Sequence, residues 1–153
     1  MNSLNQKILI VDDIEDNRFT LERRLSRSGY RAISQADCGK KALELVKEER
    51  FDLILLDLMM PDISGLDVLK ILKADPKNRS IPVVMVTAAD EIETTADCIS
   101  NGAEDYITKP INATLLKARV TACLEKKRFR DSEEHYLSKV EADKKRTQSF
   151  LKQ

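Results

Sequence analysis

Five short apolar runs divide the chain, and the segments between them repeat apolar residues at helical spacing. The runs are KILIV, RAISQA, FDLILL, IPVVMV and DYIT. The third and fourth are apolar almost throughout, which is typical of strands buried on both faces of a parallel sheet. Alternating strands and helices predict an α/β fold with right-handed crossovers. We therefore expect a doubly wound, five-stranded parallel sheet of the flavodoxin-like (βα)5 type, with strand order 2-1-3-4-5.

The last predicted helix begins after Asn112, a plausible N-cap, and continues into a highly charged segment without Gly or Pro. This pattern predicts a globular domain over residues 1–124 and an extended C-terminal helix, a coiled-coil-like linker, over 125–153. The linker has a heptad frame through which we expect a parallel homodimer. The alternative is a solvated single helix, because charged residues interrupt the frame. The frame consists of Leu116, Cys123, Leu137 and Leu151, with Val140 and Thr147 as partners.

Composition narrows the class of protein. The 153 residues carry a formal net charge of zero, so no basic field indicates direct nucleic-acid binding. Three scattered cysteines, Cys38, Cys98 and Cys123, favour reduced thiols in a cytosolic protein over a disulfide framework or a zinc site. The N-terminus has neither the pattern of a signal peptide nor a membrane span. We expect a cytoplasmic protein with no membrane partner.

Carboxylates follow the first and third predicted strands. Asp12 and Asp13 end the first, and Asp57 ends the third. In the predicted order these strands are neighbours, so the three carboxylates should converge at the ligand-binding edge of the sheet. Like charges this close are costly unless a cation neutralises them. An all-oxygen, partly hydrated site suits Mg²⁺.

Two further side chains at strand ends complete a phosphoryl-binding set. Thr87 ends the fourth strand and offers a hydroxyl, and Lys109 follows the fifth strand and offers an ammonium. A metal and a lysine offset phosphoryl charge, and Asp57 would be the nucleophile. Pro110 restricts Lys109, and a cis bond between them would aim the amine into the pocket, although trans is the commoner isomer.

The motifs ILIVDD, LLDLMMPDISG, VVMVTA and YITKP, in this order and each at a strand end, resemble the receiver domain of bacterial two-component response regulators. The resemblance covers roughly Lys7 to Leu124. It implies that Asp57 accepts a phosphoryl group from a histidine kinase or phosphotransfer protein. It also implies that Asp13 and Asp57 bind Mg²⁺ directly, that Asp12 binds it through water, and that the backbone carbonyl of Met59 is a further ligand.

The same resemblance implies a switch. Thr87 would move towards the phosphoryl group, and Tyr106 would turn inward behind it, altering the surface of the fourth helix, fifth strand and fifth helix. The alternative for Tyr106 is a half-buried strand aromatic. Positions 59 and 89 tune phosphoryl lifetime in the family, and here Met59 and Ala89 offer no polar group to orient an attacking water.

The C-terminal stretch YLSKVEADKKRTQSFL resembles the helical linker that precedes class III nucleotide cyclase domains. A linker to a phosphatase, a diguanylate cyclase or a kinase is also open. We expect the chain to be part of a longer protein with an output domain in cis, and a stand-alone regulator is the alternative. His135, on the same segment, is interpreted as a solvent-exposed bystander rather than a phosphodonor.

Two other classes of function fit parts of the pattern. One is an aspartyl-nucleophile hydrolase like the haloacid dehalogenases, which favours an Asp-x-Asp-x-Thr run that this sequence lacks after its first strand. The other is a phosphorylation-independent dimerisation or interaction module on the same fold. The complete set of pocket residues favours the phosphorylatable switch over both.

Overall fold

A computed structural model describes the backbone of residues 5–151 and the side chains of residues 5–144. Strands and helices alternate along the described chain. The strands are β1 (Lys7–Val11), β2 (Ala32–Ala36), β3 (Leu53–Asp57), β4 (Val83–Thr87) and β5 (Asp105–Thr108). The helices are α1 (Glu15–Arg27), α2 (Gly39–Glu48), α3 (Gly65–Ala74), α4 (Ile92–Ser100) and α5 (Ala113–Leu151).

The five strands form one parallel sheet in the order β2-β1-β3-β4-β5, which confirms the predicted fold and strand order. The register sets Val11 beside Leu56, so the residues that follow β1 lie next to the end of β3. It also sets Asp57 beside Val86, and Thr87 beside Thr108. The ends of β1, β3, β4 and β5 therefore meet at the carboxyl edge of the sheet.

The sheet is covered on both faces. Leu9, Val11, Leu56 and Met85 belong to one apolar cluster, which includes the buried side chains of α2 and α3. The alternate residues of the same strands, among them Ile8, Ile10 and Leu55, belong to a second cluster with α1 and α5. This division explains the near-continuous apolarity of β3 and β4, because successive side chains point to opposite faces and both faces are dry.

The turn after β3 requires a glycine. The amide of Gly65 donates to the carbonyl of Leu58 (2.8 Å). A Cβ atom at Gly65 would lie 2.2 Å from the backbone oxygen of Asp57, so any side chain would force the backbone apart. Ser64 then caps α3 by accepting the N–H of Asp67 (3.1 Å). Asn112 caps α5 in the same way, by accepting the N–H of Leu115, as its sequence position predicted.

Helix α5 packs on the domain further than the predicted boundary at residue 124. Lys127 is 1% exposed and pairs with Asp131, one turn later. Glu104, between α4 and β5, binds Arg130 at 2.6 Å. The structure therefore holds α5 against the domain to about residue 131.

This packing removes part of the predicted heptad frame. Leu116 and Cys123 are buried in the domain core and are unavailable to a second chain. Leu137 and Val140 are exposed, whereas the side chains of Thr147 and Leu151 lie outside the described residues. Within residues 5–151, no helix is both long enough and apolar enough to cross a membrane.

Candidate functional site

Three carboxylates meet at the carboxyl edge of the sheet. Asp12 and Asp13 follow β1, Asp57 ends β3, and one oxygen from each lies within 4.8 Å of the others. Asp12 and Asp57 are buried, at 1% and 4% exposure, while Asp13 is exposed. The convergence predicted from the strand order is therefore present in the structure.

The two oxygens of Asp12 have different surroundings. Oδ1 accepts the backbone N–H of Ile14 at 2.9 Å and faces the amide of Asn17. Oδ2 is buried and has no hydrogen-bond partner among the described residues. A buried carboxylate oxygen without a donor is costly. This oxygen, beside two other carboxylates, fits a divalent cation with oxygen ligands, and the donor set matches Mg²⁺.

Lys109 reaches the carboxylates from the end of β5. Its Nζ lies 3.2 Å from Oδ1 of Asp57 and 3.7 Å from Oδ2 of Asp12. Burial lowers the pKa of this ammonium, but Asp57 and Asp12 outweigh burial and raise the pKa above its ordinary value. Its amide donates to the carbonyl of Thr87 (2.7 Å), and the Lys109–Pro110 peptide bond is cis. The side chain of Lys109 places a positive charge beside Asp57 and Asp12.

Asp57 is electrostatically unusual. Burial, followed by repulsion from Asp12, raises its pKa to about 6, although Lys109 acts in the opposite direction. The pKa shift follows from the loss of hydration and from like charges at short range. A neighbouring cation would relieve both effects. Strongly perturbed carboxylates in a cleft are candidates for a chemical role.

Thr87 and Tyr106 both line an apolar cavity. Thr87 is buried, whereas Tyr106 is 41% exposed, with its ring outside the domain core. The cavity, of about 340 Å³, is lined by both residues and by side chains of α4 that include Ile92 and Ile99. The guanidinium of Arg119 lies 5.8 Å from the centre of the Tyr106 ring, within cation–π range. Tyr106 is thus partly exposed at the wall of a cavity that also reaches Thr87.

The loop after β3 exposes the side chain of Met59. It is 62% exposed, while Leu58 beside it is buried. The Met59 side chain therefore has no structural role in the core. The role of its backbone carbonyl as a metal ligand stays a prediction from the resemblance.

Sequence reasoning missed contacts that organise the site from outside it. Arg18, on α1, donates to the backbone carbonyl of Asp12 (2.8 Å) and to the side chain of Gln35. Asp62 binds the first turn of α2, and Arg119 binds Asp105 as well as facing Tyr106. Apart from the contact of Arg18 with Asp12, six residues away, these pairings join segments that are distant in the sequence, so no local pattern predicts them. The charge of the side chain was the only available signal.

Other reactive side chains lie away from the pocket. His135 is exposed on α5, as its interpretation as a bystander requires. Cys98 and Cys123 are buried, and burial raises the pKa of each thiol to about 11. Cys38 precedes α2 without a side-chain capping bond. Neither cysteine with a raised pKa is poised to act as a thiolate at neutral pH.

The fold and the strand-end pocket define a class of protein: a phosphorylatable signalling switch on a doubly wound α/β domain. A family model described as the response regulator receiver domain matches residues 8–121. This match covers more than half of the chain. The chain belongs to the response regulator receiver domain family.

Individual relatives agree with this assignment. The chain is 43% identical over 117 residues to the response regulator PleD of Caulobacter vibrioides, covering 76% of this chain and 26% of PleD. It is 38% identical over 133 residues to a cyclic di-GMP phosphodiesterase of Thermotoga maritima, covering 87% of this chain and 35% of that protein. The solved Francisella response regulator 1452 receiver domain is 31% identical, with a TM-score of 0.72 over 80% of this chain and 98% of that one.

The chain thus spans about a quarter to a third of the two curated relatives just described. The alignment with the Thermotoga maritima protein also extends further than the family model does. These proteins carry most of their length outside the region that this chain matches.

Proposed function

We propose that Asp57 is the phosphoacceptor of this receiver domain. An oxygen of the Asp57 carboxylate displaces the imidazole of a kinase phosphohistidine, so that a P–O bond forms and a P–N bond breaks, giving an acyl phosphate. The observation that carries the proposal is the position of Asp57. It is a buried carboxylate 3.2 Å from the Lys109 ammonium and grouped with Asp12 and Asp13.

The neighbouring groups would bind the metal ion and offset the charge of the phosphoryl group. Asp13 and Asp57, with the backbone carbonyl of Met59, would bind Mg²⁺ directly, and Asp12 would bind it through water. When bound, Mg²⁺ supplies positive charge that offsets the phosphoryl oxygens. Lys109, which directly follows β5, supplies a second positive charge.

Thr87 and Tyr106 convert the modification into a change of surface. The Thr87 hydroxyl donates to a phosphoryl oxygen and moves towards it, which vacates space at the cavity that Thr87 shares with Tyr106. The Tyr106 ring turns from its exposed position into that cavity. A two-state element of this kind responds to new charge at one end by changing its exposed face at the other.

The test is intact-mass analysis after incubation with acetyl phosphate and Mg²⁺. We expect one phosphoryl group on the wild type, none on Asp57→Ala, and one on Asp75→Ala, which removes a carboxylate from the other edge of the sheet. Chelation of Mg²⁺ should abolish the modification. Equal modification of Asp57→Ala and wild type would show that Asp57 is not the phosphoacceptor.

We also infer that α5 carries the signal to a second copy of this chain and to an output domain in cis. The helix has an unpartnered apolar stripe, which we call the outer stripe: Leu115, Ala118, Ala122, Phe129, Tyr136 and Val140. All six are exposed. On a helix with 3.6 residues per turn they fall within an arc of about 60°, roughly opposite the residues of α5 that pack on the domain core.

A second copy fits the outer stripe better than a strongly charged partner does. Between Glu125 and Lys144 the helix carries six basic and six acidic residues, so its surface offers both signs for self-pairing. A parallel pairing through the outer stripe replaces the predicted heptad frame, whose Leu116 and Cys123 are buried in the core. The relatives' additional length supports an output domain beyond this segment.

Sedimentation equilibrium tests the pairing. Phe129→Glu places a charge in the outer stripe and should weaken dimerisation at least tenfold. Ser138→Glu places the same charge on the opposite side of the exposed helix and should leave dimerisation within twofold. Monomers at high concentration for the wild type, with and without phosphorylation, would rule the pairing out.

A further inference from the structure

One carboxylate fastens the loop after β3 to a second helix. Oδ1 of Asp62 accepts the N–H of Gly39 at 3.2 Å, and Oδ2 accepts the N–H of Lys40 at 2.9 Å. Both amides belong to the first turn of α2, whose N-terminal N–H groups lack partners within the helix. Cys38, at the N-cap position, makes no side-chain bond to that turn. Asp62 therefore acts as the cap from a distant part of the chain.

Packing reinforces this attachment. A Cβ atom at Gly39 would lie 2.5 Å from the Ile63 side chain, so the loop sits directly against the start of α2. At its far end the loop is closed by the bond from the Gly65 amide to the Leu58 carbonyl (2.8 Å). The stretch between Leu58 and Ile63, which contains Met59, is thus held at both ends.

We propose that Asp62 is a positioning residue for the cation site, because it ties the loop that carries the Met59 carbonyl to the body of the domain. The inference rests on the proposed function, which assigns that carbonyl to Mg²⁺. Asp62 does not itself belong to the group of carboxylates at the strand ends. It acts through the backbone of the two intervening residues, Met60 and Pro61, whose conformational freedom its two hydrogen bonds restrict.

The alternative role is that of an ordinary helix cap, which would affect α2 and leave the cation site unchanged. Titration calorimetry with MgCl₂ separates the two roles, using wild type, Asp62→Ala, Asp62→Asn and Asp75→Ala. Asp75 is the matched control, because its Oδ1 also accepts a backbone N–H, that of Lys77 at 2.9 Å. It lies in the loop between α3 and β4, at the edge of the sheet away from the site.

We expect Asp62→Ala to raise the Kd for Mg²⁺ at least fivefold and to speed hydrogen exchange at the Lys40 amide. Asp62→Asn keeps an oxygen that can accept this amide, so its Kd should stay within twofold of wild type. Asp75→Ala removes the same charge elsewhere and should also stay within twofold.

Three results would overturn the inference. A Kd within twofold of wild type for Asp62→Ala would show that Asp62 is only a cap of α2. Equal increases in Kd for Asp62→Ala and Asp62→Asn would show that the lost negative charge, rather than the hydrogen bonds, weakens Mg²⁺ binding. An equal increase for Asp75→Ala would show that losing any surface carboxylate has this effect. Failure of the proposed function looks different: the wild type would not bind Mg²⁺, or Asp57→Asn would bind it as the wild type does.

Discussion

Lys109 Nζ lies 3.2 Å from Oδ1 of Asp57, although Asp57 ends β3, Lys109 follows β5, and β4 lies between these two strands. The pair places a positive charge against a carboxylate whose pKa is nevertheless raised to about 6. The domain therefore holds an acidic group that is costly to ionise until further positive charge arrives. This excess of negative charge determines how substitutions of Asp57 and of Lys109 should behave.

Replacing Asp57 with Asn should stabilise the fold above pH 6. The pKa of Asp57 is about 6 in the folded chain against 3.8 ordinarily, so the folded state binds more protons between these values and stability falls as pH rises through them. Removing the ionisable group should raise the free energy of unfolding at pH 7.5 by up to about 3 kcal/mol. The gain should vanish below pH 4.

Urea denaturation at several pH values, in the presence of a chelator, measures this difference. Added Mg²⁺ should narrow it, because the wild type gains stability from binding and Asp57→Asn gains less. A pH-independent difference would show that Asp57 is not the group responsible.

Removing the Lys109 charge should slow phosphorylation while leaving the fold intact. Lys109→Met keeps much of the side-chain length but removes the ammonium that faces Asp57. We expect the rate of modification by acetyl phosphate to fall on the order of 100-fold, as for loss of one preorganised charge-stabilising donor. Stopped-flow or quenched mass analysis gives the rate. Lys126→Met, which removes an ammonium far from the pocket, should phosphorylate at the wild-type rate.

Arg119 should bias the position of the Tyr106 ring. The guanidinium lies 5.8 Å from the ring centre and binds Asp105. A cation–π contact at a partly exposed site contributes about 0.5–1 kcal/mol. Arg119→Ala should therefore increase the inward population of Tyr106 about two- to fivefold without phosphorylation. Aromatic NMR signals, assigned with Tyr106→Phe, report the change, and an unaltered ring environment would contradict it.

Replacing Asp131 should destabilise the fold more than replacing its buried partner Lys127. Lys127 is 1% exposed and binds both carboxylate oxygens of Asp131. Asp131→Ala leaves a buried ammonium without its partner, whereas Lys127→Met removes the charge and keeps the packing. Because Asp131 is partly exposed and screened by water, we expect a loss of about 1 kcal/mol for Asp131→Ala. Lys127→Met should be nearly neutral by thermal denaturation.

The apolar runs predicted the sheet because strands buried on both faces leave a strong signal. The predicted strand order places Asp12, Asp13 and Asp57 at one edge of the sheet, and in the structure one oxygen of each lies within 4.8 Å of the others. This prediction worked because the carboxyl ends of parallel strands share one edge. The prediction needed only the sequence positions at which the strands stop.

The contacts of Asp62 and Arg119 were not predictable in the same way. Each depends on which distant surface a loop or helix finally meets, and many exposed charges have no such role. The extent of α5 packing was missed for a related reason. Lys127 is charged, so composition assigned it to the solvated linker, although its stem is long enough to pack while its ammonium reaches Asp131.

Because α5 packs on the domain only to about residue 131, a small tilt at that point would displace the far end of the helix. From Asp131 to Leu151 the helix extends about 30 Å at 1.5 Å per residue. A tilt of about 10° at the anchored base would displace the far end by about 5 Å, close to one helical turn.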